Sequence, residues 1–114
     1  MSGTEIYYYT TGRGENPVKD FIDEHTISKN KVMHILDIIE KYGLLSAVPY
    51  TKKLAGTPLW EIKVMGQESV RILYVTRKSN SILLLHAFEK KTQKTPLKEL
   101  ALALKRMREF SVDN

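Results

Sequence analysis

The sequence predicts a small α+β domain in which helices pack on one face of an antiparallel sheet. Three observations predict this class. The chain has 114 residues, enough for one hydrophobic core but not for two, so we expect residues 1–114 to form a single domain. Apolar residues recur at helical spacing in some segments and alternate in others. Three of the strand-like segments follow one another with short turns, which is typical of an antiparallel meander.

The first part of the chain predicts one strand and two helices. Residues 5–11 are β-branched and aromatic, as in a strand. Asn16 followed by Pro17 is a favourable helix start, because Asn caps the free N–H groups and Pro fits the first helical position. A second helix with Ser28 as its cap runs to about residue 42, since its apolar residues fall on one side.

The second part predicts a long connection, three strands and a final helix. The connection covers residues 44–57, and strands follow at residues 59–65, 70–77 and 81–88. The third of these strands is almost continuously apolar, which indicates burial on both faces. Thr95 and Pro96 open the last helix. Its apolar stripe consists of Leu97, Leu100, Ala101 and Leu104. The element order is therefore β-α-α-β-β-β-α.

The pairing of the first two meander strands follows from their apolar faces. Each strand has one apolar face, and both apolar faces must point to the core. A turn at residues 66–68 then sets Lys63 directly opposite Arg71 on the side of the sheet away from these apolar residues. Two cations facing each other across a ladder are destabilising. We therefore interpret this pair as an anion-binding feature that costs stability in the free protein.

Charge is distributed unevenly along the chain. Residues 1–45 hold five Lys or Arg against seven Asp or Glu, whereas residues 46–110 hold thirteen against five. The net charge of the whole chain is +5. A basic second part predicts a polyanionic or acidic partner, and nucleic acid is the first candidate.

Three basic features form the candidate site, and we expect them to converge on one side of the sheet. The candidate catalytic residues are Arg71, Lys63, Lys90 and Lys91. The candidate RNA-binding residues are Lys52, Lys53, Lys94 and Glu61. A cationic groove suits RNA cleavage, because RNA supplies its own nucleophile, the 2′-OH, and cations stabilise the charge of the transition state.

Other residue types exclude several kinds of chemistry. The chain has no cysteine, and its histidines lack the spacing of a metal site, so we expect no metal and no cofactor. We interpret His86 as a hydrogen-bonded core histidine, because it lies in the most apolar strand. The apolar runs are too short to span a membrane and the first residues do not resemble a signal peptide, so we expect a cytoplasmic protein without a membrane partner.

The sequence resembles the RelE/HigB toxin superfamily, and within it the phage-derived HigB-like branch. Three motifs carry the resemblance: LWEIK at Leu59–Lys63, RILY at Arg71–Tyr74, and LLHAFEKKTQKTP at Leu84–Pro96. It extends over residues 5–110. The last motif is the most specific of the three.

This resemblance implies the toxin of a bacterial type II toxin–antitoxin system, with a RelE-like fold. Such toxins are metal-independent endoribonucleases that cut mRNA on the ribosome, and their partner in this branch is a helix-turn-helix, HigA-like antitoxin. The match assigns Arg71 to the transition-state arginine and Lys63 to a basic residue of the preceding strand. Lys90 and Lys91 fall at the third basic position, which either can fill. The C-terminal tyrosine that some members use has no counterpart after Tyr74.

Two alternative functions stay open at this point. ParE-like relatives share the fold but inhibit DNA gyrase, and a phage-derived protein of this kind can also be a binding module without catalysis. The basic residues favour the ribonuclease, since a gyrase inhibitor needs no phosphate cradle. The general base and general acid are not assigned among the lysines.

Overall fold

A computed structural model describes residues 3–112 of the chain. It contains three α-helices, a 3₁₀ helix and five strands, in the order β1 (Glu5–Tyr8), α1 (Pro17–Glu24), α2 (Thr26–Tyr42), the 3₁₀ helix (Leu44–Tyr50), β2 (Thr51–Lys53), β3 (Trp60–Val64), β4 (Val70–Arg77), β5 (Ser81–Glu89) and α3 (Leu97–Val112). The predicted strands and helices are all present. The predicted connection at residues 44–57 instead holds the 3₁₀ helix and the short strand β2.

The five strands form one sheet in the order β1-β5-β4-β3-β2. The strands β3, β4 and β5 form the predicted antiparallel meander, β2 adds an antiparallel strand at one edge, and β1 runs parallel to β5 at the other. The sheet is therefore mixed and not purely antiparallel. The two helices that follow β1 carry the chain across the sheet to its other edge, so that β5 returns beside β1 in the same direction.

The predicted register between β3 and β4 is confirmed. Val64 pairs with Val70, and Lys63 pairs with Arg71. The loop that joins the strands spans residues 65–69, which is longer than the predicted turn but keeps the same register. The period of two along each strand fixes this pairing once both apolar faces point to the core.

The α+β class is confirmed, and α1 and α2 pack together on one face of the sheet. Their buried residues, including Val18 and Ile35, form one cluster with Ile72 and Ile82. The alternate positions of the central strands, such as Leu73 and Leu83, belong to a second cluster with α3. We call these two sides the α1–α2 face and the α3 face. Both faces of β5 are buried, as its continuous apolar run predicted.

Helix ends follow the sequence in part. The Asn16 side chain accepts a hydrogen bond from the Lys19 N–H at 3.1 Å and so caps α1 as predicted. Ser28 is not the cap of α2, because that helix already begins at Thr26. The Ser28 N–H donates to the Glu68 carboxylate of the β3–β4 loop at 3.0 Å and to the His25 carbonyl at 3.1 Å.

The buried stripe of α3 differs from the predicted one. Leu97 is 82% exposed and Ala101 is also exposed. The side of α3 that meets the sheet instead consists of Leu100, Ala103, Leu104, Met107 and Phe110. The helix is thus rotated relative to the prediction, so that only Leu100 and Leu104 of the predicted stripe contact the core.

Candidate functional site

The centre of the candidate site is a buried ion pair on the α3 face between β3 and β4. Arg71 is 8% exposed and Glu61 is fully buried. Arg71 Nε lies 3.8 Å from Glu61 Oε1, and Arg71 Nη1 donates a hydrogen bond to the Val70 carbonyl at 3.1 Å. The sequence predicted Arg71 on the face away from the apolar residues of β3 and β4, and on that face the structure buries it. The local pattern explains the pair, because Glu61 and Lys63 alternate with apolar residues and share the face of Arg71.

The segment between β5 and α3 is tied to this pair by Thr95. Its hydroxyl donates a hydrogen bond to Glu61 Oε2 at 2.9 Å. Thr95 was predicted to start α3, but its side chain joins two parts of the chain that lie far apart in sequence. As a result, the basic segment at residues 90–96 is held next to Glu61 and Arg71.

Two further lysines belong to the same face by register. Lys63 is paired directly with Arg71 and is half-buried. Lys52 is paired with Glu61 across the β2–β3 ladder, so it shares the face of Glu61, and its side chain is exposed. Because opposed residues of an antiparallel ladder point to the same side, both lysines lie around the Glu61–Arg71 pair.

Three further lysines lie in the segment that joins the end of β5 to Thr95. Lys90 is half-buried, and its backbone N–H donates to the Ser69 carbonyl at 3.0 Å, which fixes the Lys90 backbone beside the start of β4. Lys94 is exposed and adjoins Thr95 in sequence, so it lies near Glu61. Lys91 is exposed as well. We call the set of Lys52, Lys63, Arg71, Lys90, Lys91 and Lys94 the cationic end of the α3 face.

Two of the predicted RNA-binding residues have other placements. Lys53 is paired with Trp60, so it belongs to the α1–α2 face, and its ammonium donates a hydrogen bond to the Thr57 carbonyl. The alternation of side chains in β2 thus separates Lys53 from Lys52. Glu61 has no exposed surface and contacts Arg71 and Thr95, so it positions Arg71 in this structure.

A second polar group lies beside the cationic end and was not predicted as a site. His86 Nε2 lies 2.6 Å from Glu99 Oε1, and its Nδ1 lies 3.4 Å from Arg106 Nη1. Burial lowers the pKa of His86, and the Glu99 carboxylate offsets part of this shift. These contacts fit a neutral ring that donates from Nε2 to Glu99 and accepts at Nδ1. The interpretation of His86 as a hydrogen-bonded core residue is confirmed.

The ring of His86 also connects this group to Arg71. It stacks on Phe88, with 5.5 Å between the ring centroids, and Phe88 is the β5 partner of Arg71. No sequence signal marks His86 and Glu99 as partners, because they lie on a strand and on a helix that meet only in the folded chain. His86, Phe88 and Arg71 are therefore neighbours on the α3 face, and the His86 group lies beside the cationic end.

The arrangement can bind an anion through several cations of different exposure. The buried Glu61 carboxylate holds Arg71 in place, and the more exposed lysines around it carry further positive charge. Within residues 3–112 there is no group of three or more His, Asp or Glu residues that could hold a metal ion. None of the helices in this part of the chain is long and apolar enough to cross a membrane.

Comparison with protein families gives a match over most of the chain. Residues 20–108 match the model of the family described as phage derived protein Gp49-like (DUF891). The matched range extends from α1 into α3, and it contains every residue of the cationic end. None of the curated proteins matches the chain.

Proposed function

The chain belongs to the phage-derived Gp49-like family, which is related to RelE and toxin-like proteins, and we propose that it is a toxin that cleaves RNA. The observation that supports this proposal is the pairing of Lys63 with Arg71 beside the buried Glu61. Two opposed cations destabilise a free sheet unless an anion joins them. Glu61 neutralises part of this charge, and the phosphate of a bound RNA strand would meet the rest.

The proposed reaction is an attack of the ribose 2′-OH on the adjacent phosphorus. A bond forms between the 2′-oxygen and phosphorus, and the bond from phosphorus to the 5′-oxygen breaks. The 2′-OH gives its proton to a base, and the leaving 5′-oxygen takes a proton from an acid. The products are a 2′,3′-cyclic phosphate and a 5′-OH end, so no metal is needed to generate the nucleophile.

Each part of the cationic end has a proposed role in this reaction. Arg71 and Lys63 stabilise the negative charge that develops on the non-bridging oxygens. Lys90 and Lys91 are the candidates for the acid and base, and Lys52 and Lys94 hold neighbouring phosphates. Glu61 acts as a positioning residue, because it fixes the Nε side of the Arg71 guanidinium through the buried contact.

The proposed partners are mRNA on the ribosome and a helix-turn-helix, HigA-like antitoxin. The ribosome would supply the substrate strand and exclude water from the cationic end. Exclusion of water strengthens the attraction between the cations and the transition state. The antitoxin would keep the protein inactive for as long as it is bound.

Expression of the protein in bacteria with mapping of transcript ends tests the proposal. We expect growth arrest together with new 5′-OH ends inside coding regions. A variant with Arg71→Met and Glu61→Gln should fold and leave transcripts intact, because it keeps the Thr95 acceptor but removes the guanidinium. Arrest with double-strand DNA breaks and no new transcript ends would overturn the proposal in favour of gyrase inhibition.

A further inference from the structure

A cleft lies on the α3 face, at the end opposite to Arg71. It is a cleft of about 900 Å³ that is open to solvent. It opens between the edge strand β1, the β4–β5 turn and the last turns of α3. The side chains that determine its chemistry are Glu5, Tyr7, Arg77, Lys78, Ser81 and Phe110.

The floor of this cleft is a row of three residues across three strands. Glu5 pairs with Ser81 in the parallel ladder of β1 and β5, and Ser81 pairs with Arg77 in the ladder of β5 and β4. The small side chain of Ser81 turns away to donate a hydrogen bond to the Lys78 carbonyl at 2.9 Å. The row therefore has a carboxylate at one end and a guanidinium at the other, with the small Ser81 side chain between them.

Aromatic rings border the row. Tyr7 is 45% exposed, and its hydroxyl donates a hydrogen bond to Glu5 Oε1 at 3.3 Å, which orients the ring beside the cleft. On the α3 side, the guanidinium carbon of Arg77 lies 5.0 Å from the centroid of the Phe110 ring. This contact holds Arg77 in place, while Lys78 is exposed in the turn.

A ligand for this cleft must carry negative charge at one end and hydrogen-bond donors at the other. A single unpaired nucleotide has both, together with a flat base that can stack on an aromatic ring. A phosphate alone would be repelled by Glu5, and a cation alone would be repelled by Arg77 and Lys78. The carboxylate of an acidic residue accepts hydrogen bonds from the exocyclic amino group of cytosine.

We propose that this cleft binds one unpaired RNA nucleotide, with its base on Tyr7 and Glu5 and its phosphate on Arg77 and Lys78. The proposal rests on the proposed function for the class of ligand. The cleft is distinct from the cationic end, because Arg71 and Arg77 lie on the same face of β4 at a separation of about 20 Å, estimated from the rise per residue. The nucleotide belongs either to the substrate strand or to ribosomal RNA.

Binding of short RNA strands by the full chain tests the proposal without any cleavage. The probes are fluorescent oligocytidine and oligouridine with 2′-O-methyl groups, which lack the nucleophile, so the result does not depend on catalysis. We expect tighter binding of oligocytidine, and Glu5→Gln should reduce this preference. Tyr7→Ala should weaken binding of oligocytidine about 5- to 100-fold, the effect typical of one stacked base.

Lys78 provides a test with a matched control. Lys78→Ala should make the dependence of log K on log salt shallower by about 0.7, the value for one phosphate contact on a single strand. Lys105→Ala, at an exposed lysine of α3 outside the cleft, should leave the slope unchanged. Tyr7→Phe keeps the ring and separates stacking from the hydrogen bond to Glu5.

A second arm of the experiment measures binding of the same variants to purified ribosomes by co-sedimentation. Weaker binding of free oligocytidine would assign the cleft to the substrate strand, and a loss confined to ribosomes would assign it to ribosomal RNA. Unchanged binding in both arms, with folded Tyr7→Ala and Lys78→Ala variants, would overturn the proposal. Variants that weaken only the complex with an antitoxin would also overturn it, in favour of a protein partner.

Discussion

At the scale of single residues, the Glu61–Arg71 pair is the most buried contact between opposite charges within residues 3–112. Glu61 Oε1 and Arg71 Nε have no hydrogen-bond partner, because the 3.8 Å between them is too long for a hydrogen bond. Breaking such a pair leaves an unpaired charge in a region without water, which costs far more than the loss of a surface ion pair. The Glu61 carboxylate, 3.8 Å from Arg71 Nε, offsets part of the repulsion between Lys63 and Arg71.

Removal of Arg71 alone should therefore destabilise the protein. We expect Arg71→Met to lower the free energy of unfolding by about 3–5 kcal/mol, since Glu61 loses its partner. Addition of Glu61→Gln should recover most of this loss, because the pair is then replaced by neutral groups. Urea denaturation of the single and double variants measures the difference. A free energy of unfolding that stays level or rises in Arg71→Met would show that repulsion from Lys63 dominates.

Tyr74 should make the protein sensitive to alkaline pH. Burial raises the pKa of Tyr74 to about 12, and the nearby Thr51 offsets part of the shift. Between pH 10 and 12 the unfolded chain loses this proton while the folded chain keeps it, so stability falls as pH rises through this window. Between pH 9 and pH 11 the loss amounts to about 1 kcal/mol.

The matched control for this effect is Tyr74→Phe, which keeps the ring in the core. The difference in unfolding free energy between the wild type and this variant isolates Tyr74 from the other tyrosines and from the lysines. From pH 9 to pH 11 the unfolding free energy of the wild type should fall by about 1 kcal/mol relative to that of Tyr74→Phe. A difference that stays constant over the range would contradict the buried, neutral phenol.

At the scale of elements, α3 decides how the α3 face is covered. The alternate positions of β4 and β5 are apolar and need a cover, which α3 supplies with Leu100, Ala103 and Leu104. The helix also carries Glu99 and Arg106, which contact His86. Its attachment therefore supports both the core and the polar group beside the cationic end.

Truncation of leucines in α3 should separate the buried side of the helix from the exposed side. Leu100 is half-buried against the sheet, so Leu100→Ala should lower the unfolding free energy by about 1–3 kcal/mol, less than for a fully buried leucine. Leu97 is 82% exposed, and Leu97→Ala should change it by less than about 0.5 kcal/mol. Equal effects in denaturant melts would place α3 in a different rotation.

At the scale of the whole molecule, the basic second part of the chain is divided between the faces of the sheet by strand alternation. Lys52 lies with Glu61 on the α3 face, and Lys53 lies with Trp60 on the α1–α2 face. The two lysines are neighbours in sequence and both are exposed. They therefore form a matched pair that tests which face meets RNA.

The salt dependence of RNA binding should respond to only one of these lysines. If RNA lies along the cationic end, Lys52→Ala should make the slope of log K against log salt shallower by about 0.7, while Lys53→Ala should leave it unchanged. Fluorescence anisotropy with a 2′-O-methyl strand measures both slopes. An equal change for the two variants would mean that RNA contacts the edge of β2 and not the α3 face.

Local signals in the sequence predicted the strands and helices other than the 3₁₀ helix and β2, together with their order and the register of β3 with β4. Apolar period and capping residues located the strands and helices, since these signals act within a few residues. The pairing of Lys63 with Arg71 was also predictable, because both strands flank one short loop and each has a single apolar face. The cationic character of the candidate site was visible for the same reason, since it depends on residue types in adjacent strands.

The side of the sheet that α3 covers and the charges that meet in the interior depend on how the whole chain packs. The parallel pairing of β1 with β5, the hydrogen bond from Thr95 to Glu61 and the contact of His86 with Glu99 all join segments that are separated in the sequence. Glu61 looks like an ordinary strand residue until the segment after β5 and the Arg71 side chain enclose it. Burial is set by what packs above a residue, and that depends on the whole chain, whereas period and capping depend on its neighbours in sequence.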